Sequence, residues 1–98
     1  MTLPPVVDNS DANRFEIAVD GHTAELTYRR HGERLVLVHT EVPDALEGRG
    51  IGGELVRAAV DLAAENRLTV VPICPFANSW LHDHPDEAQR VTIDWRDQ

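Results

Sequence analysis

Residues 47–53, EGRGIGG, run straight into a helical pattern that extends from Ile51 to Asn66. Glycines this closely spaced let a backbone fold its N–H groups around an anion, and the start of a helix adds partial positive charge. The stretch reads as an anion cradle built from Gly48, Arg49, Gly50, Ile51, Gly52 and Gly53, with a pyrophosphate as the natural ligand. The plainer alternative is a tight turn in which Gly48 and Gly50 only reverse the chain.

Working outward, residues 35–42, LVLVHTEV, are apolar on both sides at first and polar on one side later, as in a strand at the centre of a sheet. Pro43 and Asp44 end it. On the helix that follows, Ile51, Leu55, Ala58, Ala59, Leu62 and Ala63 share one face. Residues 68–73, LTVVPI, form a further strand, so strand, glycine loop, helix and strand make a right-handed crossover with parallel pairing. Ligands of such units sit beyond the strand C-termini. Nearer the N-terminus, Phe15, Ile17 and Val19 alternate with Glu16 and Ala18, Asp20-Gly21 turns the chain, and residues 24–28 answer as the second arm of a hairpin. His31-Gly32 marks the next turn. The fold class is therefore α+β: a small mixed sheet of antiparallel strands with one parallel crossover pair, flanked by two helices.

Residues 1–13, with Pro4-Pro5 and a polar run from Asp8 to Asn13, read as a flexible tail, and residues 14–98 as one domain. At the other end, Val91, Ile93 and Trp95 alternate with polar residues. That pattern suits a strand closing the sheet of its own chain better than an exposed edge or a dimer contact. A monomer or weak homodimer is expected.

A chain of 98 residues buries roughly 65% of its unfolded surface, enough for a core without staples. Nine arginines against seventeen acidic residues leave a formal charge of −8, which argues against nucleic acid or an anionic membrane surface as partner. Lysine is absent, which excludes Schiff-base chemistry. The single cysteine has no partner for an internal disulfide, and no apolar run approaches the ~20 residues of a membrane span. Without a basic and apolar leader at its start, the chain is expected to be cytoplasmic.

Three side chains carry candidate chemistry. Cys74 leaves the strand of residues 68–73 just before Pro75, the kind of residue that opens a helix, so the thiol falls where a helix dipole favours thiolate. The alternative is a small buried residue closing a strand. His39 and Glu41 follow Leu35 and Leu37 at strand spacing and are expected to share their face near the cradle, where either serves as a base. A histidine ordinarily titrates near neutrality, whereas a carboxylate needs burial to do so. Both residues suit a hydrogen-bonded strand end equally well. The run His82-Asp83-His84 lacks the paired spacing of zinc ligands, and no metal is expected.

Taken in order, His39-Thr40-Glu41-Val42-Pro43, Gly48-Arg49-Gly50-Ile51-Gly52, Pro72-Ile73-Cys74-Pro75-Phe76 and His84-Pro85-Asp86 resemble the GNAT superfamily of acetyl-coenzyme A-dependent N-acetyltransferases, over residues from about Phe15 to Ala88. The likeness is greatest to its minimal single-domain branch. The superfamily's phosphate loop is matched at Gly50 and Gly52, but Glu47 stands where Gln or Arg is usual, which leaves Arg49 as the side-chain contributor. The resemblance implies acetyl-coenzyme A as cosubstrate and an amine as acceptor. It implies a pyrophosphate on the N–H groups of Arg49 to Gly53, a pantetheine arm along the strand ending at Val42, and Asn78 among the coenzyme contacts. It further implies a thioester close to Cys74, either attacked directly by the amine or passed through an acetylated Cys74. A coenzyme-binding module without turnover is the alternative.

Overall fold

The computed structural model describes residues 3–95. Six strands lie in one sheet in sequence order: β1 (Val7–Asn9), β2 (Arg14–Val19), β3 (His22–His31), β4 (Arg34–Glu41), β5 (Thr69–Pro72) and β6 (Thr92–Ile93). The first four pair antiparallel, while β4 with β5 and β5 with β6 pair parallel. The crossovers carry α1 (Ile51–Asn66) and then α2 (Pro75–Asp83) with the single turn α3 (Pro85–Ala88). The mixed α+β sheet with a crossover pair is as expected from sequence. The third helical turn and the second parallel pair are additions.

Alternation decides the core. Phe15, Ile17 and Val19 of β2, Ala24, Leu26 and Tyr28 of β3, and Leu35 and Leu37 of β4 are buried against Leu55, Val56, Ala59, Val60 and Ala63 of α1 and against Ala77 and Leu81 of α2. Val56 and Val60 lie outside the stripe read from the sequence. They are buried because α1 packs on α2 as well as on the sheet. At α1's C-terminus Arg67 takes a left-handed conformation, and its N–H returns to the carbonyl of Ala63. Among the described residues, no helix is long and apolar enough to cross a membrane.

The N-terminal segment departs from the expected tail. Residues 7–9 pair with β2, and Leu3 and Val6 pack against the core. The tie is a side-chain hydrogen bond from the Tyr28 hydroxyl to Asp8 Oδ1, 2.6 Å. Burial, and then that bond, push the Tyr28 phenol up to about 12. A phenol whose folded value exceeds its unfolded value of about 10 stabilises the fold fully below pH 10, and that contribution is lost as pH rises towards 12. We therefore expect denaturant-measured stability to fall by roughly 2–3 kcal/mol across that window, and Tyr28→Phe to flatten the decline. An equally steep decline in the variant would remove Tyr28 as its cause. The C-terminal alternation resolves as β6 at the edge of the chain's own sheet, with Asp94 of the following residues ion-paired to Arg34. Residues 96–98 lie outside the described residues.

Candidate active site

The position of the site follows from where β4 and β5 part. Their register ends at Leu37 opposite Pro72, and the last link is the Cys74 N–H donating to the Leu37 carbonyl, 2.8 Å. Beyond it β5 turns into α2, while β4 continues to Glu41. The chain then returns through a 3-10 turn, Asp44–Leu46, and the glycine loop to the start of α1. The result is a cavity of about 580 Å³ between the end of β4, the glycine loop and α2. Its walls include Thr40, Val42, Glu47, Gly48, Gly50 and Ile51 on one side and Phe76, Trp80 and His84 on the other.

The glycines divide into two kinds. Gly48 and Gly50 have φ of +81° and +74°, and a Cβ on either would meet open space. They leave the loop backbone bare where an anion would lie. Gly52 and Gly53 serve packing instead. A Cβ on Gly52 would stand 2.6 Å from the Phe76 ring, and one on Gly53 2.5 Å from Trp80 Nε1. Their lack of a side chain lets α2 approach the first turn of α1, so the motif is both cradle and helix contact.

Trp80 is held from three directions. His84 stacks on the indole at 3.9 Å with an interplanar angle of 14°, the Arg57 guanidinium lies 5.4 Å from its centroid, and its edge abuts Gly53. His84 donates from Nδ1 to the Trp80 carbonyl at 2.7 Å. Phe76 keeps 44% of its surface exposed beside the loop. Phe76, Trp80 and His84, four residues apart on one stripe of α2 and its cap, are not among the site residues expected from the sequence.

A bulge in β4 separates the expected catalytic residues. Tyr28 pairs with Leu37 but Thr27 pairs with His39, so Val38 is an extra residue and the alternation inverts after it. His39 and Glu41 consequently lie on the face opposite Leu35 and Leu37, correcting the shared face expected from the 2-residue period. They are exposed there, with His39 Nε2 3.6 Å from Glu41 Oε1. Thr40 takes the inward position opposite Leu26 and lines the cavity. Its hydroxyl lies 3.2 Å from the sulfur of Cys74, which is only 2% exposed at the head of α2. The thiol thus stands behind Thr40 rather than in the wall.

Two expected coenzyme contacts point elsewhere. The Arg49 side chain leaves the loop and bonds Asp20 Oδ2 at 2.8 Å, anchoring the loop to the β2–β3 turn. The Asn78 amide donates to the Pro72 carbonyl at 3.3 Å and holds α2 to the end of β5. Arg57 bonds both Glu54, 2.6 Å, and Glu87, 3.1 Å. Hydrogen bonds from Arg90 and then Arg57 hold the Glu87 carboxyl below the usual carboxylate range.

A mixed sheet whose central parallel strands diverge beneath a glycine loop at a helix start defines the class of acyl-group transferases with this fold. The chain belongs to the GCN5-related N-acetyl-transferase family, whose match spans residues 14–91. It is 37% identical to protein NATD1 of Mus musculus over 75 residues, 74% of this chain and 68% of the mouse protein. It is 36% identical to NATD1 of Gallus gallus over 86 residues, 83% and 78% of the two chains. Among solved structures, the NMR structure of a GCN5-like protein from Staphylococcus aureus superposes with a TM-score of 0.73 at 31% identity, covering 98% of this chain and 94% of that one.

Proposed function

We propose that the protein transfers an acetyl group from acetyl-coenzyme A to an amine. The observation that carries this reading is the cavity itself, with the bare backbone of Gly48 and Gly50 at one end and the gap between β4 and β5 at the other. The residues fit the group. The loop's N–H groups and the first turn of α1 suit a pyrophosphate, and the unpaired end of β4 suits the amides of a pantetheine arm. When bound, the coenzyme supplies an activated acetyl thioester.

On this reading His39 or Glu41, on the open face of β4, accepts the proton of an amine that enters through the gap. A backbone N–H bordering the gap donates to the developing oxyanion. Thr40 and Cys74 sit at the thioester end, and Cys74 either takes the acetyl group before the amine or holds a proton there. A second reading, a coenzyme-binding module without turnover, is favoured by one observation: His39, Glu41 and Cys74 are not among the residues lining the cavity.

The test is intact-mass spectrometry after incubation with acetyl-coenzyme A and a panel of amines. We expect a noncovalent complex under native conditions and release of coenzyme thiol with at least one amine. For Cys74→Ala we expect retained coenzyme binding and slower transfer. An acetyl adduct that survives denaturation and disappears in Cys74→Ala would establish the route through the thiol, whereas full activity in that variant would reduce Cys74 to packing. Binding without thiol release across the panel would favour the module, and no binding would overturn both readings.

A further inference from the structure

The arginines beside the cavity are already occupied. Arg57, among the described residues the one arginine in its wall, holds Glu54 and Glu87, and Arg90 behind it holds Glu87 and Asp61. Arg49, within the glycine loop, is held by Asp20. Arg29, Arg30 and Arg67 form no ion pair among the described residues, but all three lie at the opposite end of the sheet. Arg29 and Arg30 stand across from Val36 and Leu35 near the start of β4, and Arg67 caps the far end of α1. Among the described residues, the wall carries the carboxylates of Glu47 and Glu54 against the guanidinium of Arg57.

A pyrophosphate is served without side-chain cations, because a helix start supplies N–H donors and a favourable dipole. A phosphate monoester on the ribose is different. It carries about −1.5 to −2 at neutral pH, and among the described residues each arginine beside the cavity is already ion-paired. Resting on the coenzyme reading above, we infer that the site recognises the thioester arm and pyrophosphate but leaves the ribose phosphate unread because the neighbouring arginines are occupied. Thioesters of dephospho-coenzyme A are then ligands and donors equal to those of coenzyme A.

Calorimetric titration of the full chain with coenzyme A and with dephospho-coenzyme A tests this, at about pH 8, above the range where histidines ordinarily charge, and at low salt, where charge effects are least screened. We expect dissociation constants within threefold of one another. A preference for coenzyme A beyond threefold would overturn the inference. Failure of both ligands to bind would overturn it together with the coenzyme reading, so the two failures are told apart. Glu54→Gln supplies the positive arm, since it removes one of Arg57's two carboxylates. In this variant the ratio should shift at least threefold towards coenzyme A, and an unchanged ratio would overturn the ion-pairing basis of the inference.

Discussion

Replacing Gly50 by tryptophan is expected to weaken acetyl-coenzyme A binding by a hundredfold or more while the fold survives. Gly50 lines the cavity, and a Cβ there would meet no protein atom, so the added indole would project into free space that the ligand needs. The cost to the protein is confined to backbone strain. A non-glycine residue at a φ of +74° gives up roughly 1–2 kcal/mol, which a domain stable by ~5–15 kcal/mol withstands. A hundredfold loss of affinity corresponds to about 2.7 kcal/mol of binding free energy. Calorimetry with acetyl-coenzyme A, beside a thermal melt, separates the two effects. Undiminished affinity in a folded Gly50→Trp protein would sink the assignment of the loop as the coenzyme's cradle.

Gly53→Leu should act in the opposite sense, on stability first. Its Cβ would stand 2.5 Å from Trp80 Nε1 and 3.2 Å from Cε2, so the indole must give up its place against His84 and Arg57. Overfilling a packed contact of this kind costs about 1–3 kcal/mol. For a domain of this size that lowers the melting temperature by roughly 4–8 °C per kcal/mol. Because α2 forms the far wall, affinity should fall as well, but only in step with the displaced helix. A variant that melts like the parent would show that Trp80 moves aside freely and that Gly53 has no packing role. Gly52→Trp differs from Gly50→Trp in that its Cβ would meet the Phe76 ring at 2.6 Å rather than open space.

What could be read in the sequence and what could not divide along a physical line. Turn glycines, strand alternation and the helix start are local signals, and the β2–β3 hairpin, the β4–α1–β5 crossover and the loop at residues 47–53 follow from them. The family resemblance was likewise carried by short ordered motifs. The strand β1 is only three residues long and is held by a bond from Tyr28, twenty residues away, so nothing in residues 7–9 announces it. The bulge is invisible for a similar reason. Nothing in the string LVLVHT marks an inserted residue, and only the pairing with β3 shows that Val38 is extra. The wall of Phe76, Trp80 and His84 did leave a trace, a ring at every fourth position, but the reason for Gly52 and Gly53 lies in residues of a different helix.

The inserted Val38 also sets how this family member can change. A substitution in β4 alters one side chain, yet removing one residue between Leu37 and His39 would restore unbroken alternation and exchange the two sides of everything downstream. His39 and Glu41 would then turn towards the cavity, and Thr40 would turn out to solvent. In this strand the length of the chain, more than the identity of any residue, assigns each group to the cavity side or to the opposite face of the sheet. Insertions and deletions at this point are therefore the genetic events that redraw the site.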